Sequence, residues 1–296
     1  MSNLRNTAVL IGALGLYSQS AHAGFAVSVT GGSADYELEV IENPGAEDEF
    51  VDAIDDTFFY RDLGIDYSWG NHQVGVKFGG LDESKGAIDI RDSGPQAATV
   101  ETGDAERDEW SLFYTYRTPW GIALTTGYYS SETDTTRNFT ADITDLLGNG
   151  SNVTADLSQT ADKTIENDGW FVGAAYGRPL SERIGVFARI GYQWSEMEES
   201  IDAQLDFSVP VQNTGTVQVT EAYSETDSFS RSGDFDGDAF VYGVGAYWAV
   251  SESYSLNLFY EVKDFDYDKG TYEGETIPLK ISEEQSMVGL TLRYSR

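Results

Sequence analysis

The chain has no cysteine in its 296 residues, which excludes a disulfide framework and a thiolate metal site and leaves hydrogen bonding and packing to stabilise it. It has two histidines, His22 and His72, so chemistry that activates a serine or a water through imidazole has little to work with. No apolar run approaches the roughly 20 residues that a membrane-crossing helix needs. Basic residues are scarce: 18 stand against 50 acids, for a net charge of −32. Such an imbalance disfavours nucleic acid and anionic bilayer surfaces as partners and favours cations or cationic surfaces.

What is present starts with an export signal. Arg5 precedes an apolar stretch from Ala8 to Tyr17, and Ala21-His22-Ala23 supplies a small-x-small cleavage site. Residues 1–23 therefore read as a secretory signal peptide, an anchor helix being too short, and residues 24–296 as the mature domain. Strand signals run through that domain without an interdomain linker.

The strands are written in one code. Val288, Leu290, Leu292 and Tyr294 alternate with Gly289, Thr291, Arg293 and Ser295, so one face is apolar and the other polar. The pattern recurs in Phe25 to Thr30, then in pairs joined by short turns at Gly70-Asn71, Thr118 to Gly121, Arg178 to Ser181 and Val250 to Ser253. That makes ten strands. Trp69, Tyr116, Tyr176, Trp248, Tyr254 and Tyr294 fall beside the short turns, and Trp110, Tyr128, Trp170, Trp194 and Tyr260 toward the long connections, as two interfacial girdles would. The expected fold is an all-β, transmembrane, antiparallel up-and-down barrel in a bacterial outer membrane, with both ends periplasmic.

A soluble sandwich or barrel is the alternative, and it would have to hide these rings while exposing a glycine-rich face. Five segments, 41–57, 81–107, 132–168, 195–238 and 264–284, hold 40 of the acids and eight of the basic residues, and they read as long acidic extracellular loops. Possible strands beside the turns at 148–150 and 212–215 are placed outside the membrane; counting them as crossings would give twelve or fourteen strands.

From signal to last residue the chain resembles the bacterial outer-membrane β-barrel superfamily. The resemblance implies that Gly289, Leu292 and Tyr294 form the signal read by the barrel-assembly machinery, although Ser295 and Arg296 follow the final aromatic. The omptin-like proteases are similar in strand count only, since their active site pairs Asp with His near the extracellular rim and His72 lies in a periplasmic turn. No enzyme activity is expected.

On the same code Asp62, Asp66, Lys77, Arg117, Arg189, Glu261, Lys263 and Arg293 point into the lumen, beside Phe113, Tyr129, Phe171, Phe187, Tyr247 and Phe259 and many glycines. Charges in so narrow a space must pair or meet water. They form either a structural plug or a constriction that passes small cations or polar solutes. Asp236, Asp238, Asp264 and Asp266 flank the last complete hairpin and are the candidate Ca²⁺ or Mg²⁺ ligands, able to bridge to lipopolysaccharide phosphates. The two function classes are thus a narrow passive pore and a closed surface protein that binds or stabilises the membrane through its acidic exterior.

Overall fold

The computed structural model describes residues 23–42, 50–85, 88–91, 97–143, 155–213, 218–219, 221–267, 271–272, 275–276 and 279–296. The expected signal peptide lies outside them, apart from Ala23. Ten long strands make the wall: β1 (Gly24–Glu42), β2 (Phe50–Trp69), β3 (His72–Lys85), β4 (Ala97–Arg117), β5 (Ile122–Ile143), β6 (Ala155–Pro179), β7 (Ile184–Val209), β8 (Tyr223–Ala249), β9 (Tyr254–Tyr267) and β10 (Leu279–Ser295). Each pairs antiparallel with its sequence neighbours, and β10 pairs with β1 to close the ring.

Local chemistry sets the turns. Gly70 takes φ 54° in the β2–β3 turn, and Gly121 takes φ 82° where Thr118 to Gly121 reverses the chain. The Thr118 hydroxyl accepts from the Ile122 amide at 3.1 Å; Ser181 and Ser251 hold the next two turns in the same way, accepting from the Ile184 and Tyr254 amides at 3.1 and 3.2 Å.

The register fixes the width. Stepping between directly opposed residues from Ala26 through Asp66, Gly75, Phe113, Gly127, Phe171, Gln193, Ala239, Phe265 and Glu283 returns to β1 at Leu38, twelve residues further along. With ten strands and ordinary strand spacings, that stagger gives a tilt of about 40° and a wall radius of about 10 Å. Side chains can fill such an interior.

Outward residues in the lower part of the wall are exposed and apolar, among them Val27, Leu63, Val74, Leu112, Leu124, Val172, Ile190, Val244, Leu258 and Leu290. Two aromatic belts bound them. Tyr254 and Tyr294 lie 5.0 Å apart in the lower belt, where Trp69 also stacks on His72 at 5.5 Å; Tyr128 lies 5.8 Å from Trp110 and 5.4 Å from Trp170 in the upper. A crossing takes only about 9–11 residues, whereas β6, β7 and β8 have 25, 26 and 27. The wall therefore continues well above the upper belt.

This corrects the loop assignment. Much of the sequence expected as loops is strand: β5 and β6 take in 132–143 and 155–168, and β7 and β8 take in 195–209 and 223–238. Residues 139–143, 155–157, 203–209 and Tyr223 are the tops of wall strands, not separate hairpins, while Gln212–Asn213 pairs with Gln218–Val219 in a small extra hairpin. The count of ten crossing strands is unchanged.

Inside, rings lie over glycines on the next strand. Phe113 covers Gly75, Phe171 covers Gly127, Phe187 covers Gly245 and Phe259 covers Gly289, each pair directly opposed in the ladder. A Cβ at Gly75 would sit 2.4 Å from the Phe113 ring, whereas one at Gly31, on the lipid face, meets nothing nearer than 3.6 Å. Gly75→Val is expected to lower unfolding stability by about 1–3 kcal/mol through overpacking, and Gly31→Ala to change it by less than about 0.5 kcal/mol. Urea titration of both variants folded in vesicles measures the difference.

Candidate functional site: a braced lumen and an acidic outer wall

All eight lumen candidates point inward; six of them pair among themselves, Arg117 bonds Gln73, and Lys263 reaches a second cluster that the sequence reading did not include. Arg107, on β4, is the hub. Its Nη1 donates to the Tyr36 hydroxyl at 2.9 Å and to Glu283 Oε1 at 2.6 Å, and its Nη2 donates to Ser131 at 3.1 Å. Glu109 lies 3.7 Å from Arg107 Nε and accepts from Lys263 Nζ at 3.4 Å. Glu283 also accepts from the Tyr267 hydroxyl at 2.9 Å; that hydroxyl accepts from Asn167 at 2.5 Å, and Asn167 in turn accepts from Tyr129 at 3.0 Å.

These contacts cross the barrel. Arg107 and Glu109 stand on β4, whereas Glu283 is on β10 and Lys263 on β9, and neither strand neighbours β4. Lower down, Asp62 accepts from Lys77 at 3.5 Å and from Tyr60 at 2.5 Å, Arg189 pairs with Glu261, and the Arg189 guanidinium lies 5.4 Å from the Phe259 ring centre. At the short-turn end Arg293 pairs with Asp66 at 2.7 Å across β1, and Arg117 donates to Gln73 at 2.8 Å. Between the Arg293–Asp66 pair and Glu283, the four cations Lys77, Arg107, Arg189 and Lys263 balance the four anions Asp62, Glu109, Glu261 and Glu283. An enclosed cavity of about 10 Å³ beside Asp66, Gln73, Lys77 and Arg293 has room for one water.

Above the ionic layer the lumen turns apolar. Leu38, Ile54, Phe58, Leu81, Ile165, Met197, Phe235, Phe265 and Ile281 are buried together, on the inward face of the wall that rises past the upper belt. Lys163 pairs with Glu199 further up.

The outer face of this upper wall is acidic. Asp108, Glu132, Glu166, Glu198 and Asp234 oppose one another in sequence across β4 to β8, and Asp264, Glu284, Glu37 and Asp55 do so across β9, β10, β1 and β2. The metal candidates belong to the same surface. Asp238 faces Asp266, Asp236 faces Glu196 and Asp264 faces Phe240; Asp238 accepts from the Tyr192 hydroxyl at 2.6 Å. Among the described residues no group of three or more His, Asp or Glu side chains converges to hold a metal ion. An extended wall spreads its outward carboxylates in rows rather than gathering them into a cage.

Of the assembly residues, Gly289 lies under Phe259, while Leu292 and Tyr294 face the membrane. His72, at the short-turn end, shares a hydrogen bond of 2.6 Å with the Tyr114 hydroxyl. Like charges directly opposed destabilise a sheet. Glu198→Gln, which removes one charge between Glu166 and Asp234, is therefore expected to raise stability by up to about 1 kcal/mol at low salt. The gain should fade as the Debye length contracts to about 3 Å at 1 M salt, and thermal unfolding in vesicles across that range reads it.

No protein-family model matches the chain, and no curated protein matches it in sequence. Among solved structures it is similar to the outer membrane protease OmpT from Escherichia coli, with a TM-score of 0.51 and 9% identity over 92% of this chain and 97% of that one. Similarity also extends to the translocator domain of the autotransporter NalP from Neisseria meningitidis (TM-score 0.39, 11% identity, 94% and 91% covered) and to the toluene transporter TbuX from Ralstonia pickettii (0.38, 9%, 98% and 96%). At these identities the likeness concerns the fold and assigns neither an enzymatic nor a non-enzymatic role. By its closed ten-stranded antiparallel wall with two aromatic belts, the chain has an up-and-down β-barrel fold similar to that of OmpT.

Proposed function

We propose that the protein is a closed, non-conducting outer-membrane barrel that acts at the cell surface through its acidic upper wall. One observation carries the reading: the Arg107–Glu283 and Glu109–Lys263 pairs span the lumen from β4 to β10 and β9 beneath a buried apolar layer. Charged groups that line a continuous aqueous path face water, whereas these are buried and matched, each cation with a carboxylate. The geometry thus favours the plug over the constriction. The outward carboxylate rows then supply the activity, attracting cations to the rim and using Ca²⁺ or Mg²⁺ to bridge to lipopolysaccharide phosphates, or engaging a cationic surface. No catalytic step enters this reading, since the one described histidine, His72, lies at the opposite end from that wall.

Planar bilayers test it. Correctly folded wild-type protein is expected to give no conductance steps, with or without millimolar Ca²⁺. Arg107→Ser combined with Lys263→Ser removes both braces and strands Glu109 and Glu283, but leaves the apolar layer above in place, so it is expected to cost about 3–5 kcal/mol of unfolding stability and still to give no steps. Steady steps from the wild type would overturn the closed reading in favour of a narrow pore for cations or small polar solutes.

A further inference from the structure

The lipid-facing wall is not uniformly tall. Across β6 to β10 one row of opposed outward residues reads Tyr176, Ala188, Val244, Tyr260 and Val288, and the row below it reads Arg178, Val186, Ala246 and Leu258. Short side chains, Ala188 and Val244 in one row and Val186 and Ala246 in the other, form a floor. Tyr176 and Arg178 stand along one side, Leu258 and Tyr260 along the other. The result is a trough of about 720 Å³ on the outside of the barrel, open to the bilayer. It begins at the lower belt and runs upward within the membrane band.

Its lower end carries a charge. Arg178 opens the β6–β7 turn, is exposed, and makes no ion pair or side-chain hydrogen bond among the described residues, yet it lines the trough. Arg183 lies in the same turn. The neighbouring Tyr176 ring is 53% exposed at belt height, where a phenol hydroxyl meets headgroups. An apolar channel within the hydrocarbon, closed below by an unpaired guanidinium at headgroup level, matches a molecule with an acyl chain and an anionic phosphate. It matches the periplasmic leaflet, since Arg178 is at the short-turn end.

We propose that this trough is a specific site for one phospholipid of the periplasmic leaflet, with an acyl chain on the Ala188–Ala246 floor and the phosphate on Arg178. The site rests on the membrane reading of the barrel but not on whether the lumen conducts. It differs from the general lipid coat in having both a recess and a fixed counter-charge, so the bound lipid exchanges more slowly than its neighbours. A second copy of this chain is the competing occupant, because a recess with small side chains also admits a neighbouring wall.

The test folds the full mature chain into dioleoylphosphatidylglycerol vesicles, extracts it into mild detergent, and counts retained lipid by native mass spectrometry. Wild type is expected to keep one phospholipid per barrel. Ala188→Phe with Ala246→Phe fills the floor and should reduce retention to background. Arg178→Gln leaves the recess intact and should weaken retention about fivefold, the effect of one basic residue at a lipid surface. All substituted positions face outward, and unchanged heat-modifiable mobility on electrophoresis confirms folding. Equal lipid retention by wild type and the filled variant would overturn the proposal, as would a wild-type dimer that the filled variant loses. Failure of the wild type to fold into vesicles would instead count against the membrane reading itself.

Discussion

A single hydrogen-bonded wall passes through two solvents, and this constraint organises the molecule. The pleat fixes which residues face outward, and the register, shifted among the described wall pairs only between Leu81 and Ser84 on β3, carries that assignment along the strands. Within the bilayer the outward face must be apolar; above it, water wets the same face. The sequence therefore keeps its period and inverts its polarity at the upper aromatic belt. On β1 the outward residues pass from Phe25, Val27 and Val29 to Asp35, Glu37 and Glu39, while the inward ones pass from Ser28 and Thr30 to Tyr36, Leu38 and Val40. On β9 the outward face changes within a few residues of Tyr260, becoming Asp264 and Asp266, and the inward face becomes Phe265 and Tyr267.

The inversion accounts for the two layers of the interior. At membrane depth the inner face cannot compete with lipid for apolar side chains, so it holds polar ones, and burial then obliges every charge to find a partner. A buried pair contributes little net stability against an apolar alternative, yet removing one member strands the other at a cost of several kcal/mol. Such pairs therefore specify an arrangement more than they stabilise it. The Arg107 cluster ties β1, β4, β5 and β10 into one fixed cross-section. Above the membrane the barrel behaves like a small soluble one with an apolar centre, which lets strands as long as β8 stand without lipid around them.

What the sequence revealed follows the same boundary. Inside the membrane band apolar and polar residues alternate with a strong contrast and aromatics mark the ends, so the ten strands and the eight inward candidates could be read directly. Above the belt the signal is still period two: Asp234-Phe235-Asp236 and Asp264-Phe265-Asp266-Tyr267 alternate within segments that read as acidic loops, because their acids give a low average hydropathy and their apolar set has changed sides. The same reading as loop hid Arg107 and Glu283, and Glu109 falls between that segment and the strand read from Trp110; these three are the partners that cross the lumen. Asp66 was found without its significance, because its pairing with Arg293 depends on the closure of β10 against β1. Register and shear, which bring β4 residues within reach of β9 and β10, are properties of the whole ring and are not encoded in any one strand.

The inversion also connects the proposed closure of the lumen to the charged exterior. From Phe240 at the upper belt to Tyr223 at the top of β8 is 17 residues, which at about 3.3 Å per residue and a tilt of about 40° lifts the rim about 40 Å above the hydrocarbon. A wall that tall, made of strands with like charges facing one another, needs something inside to hold it together. The apolar layer formed by Leu38, Ile54, Ile165, Phe235 and Ile281 does so, and it can exist only if no channel runs through it. Opening the barrel would remove the core that supports the acidic rows, so a tall acidic surface and an open pore are competing uses of one interior.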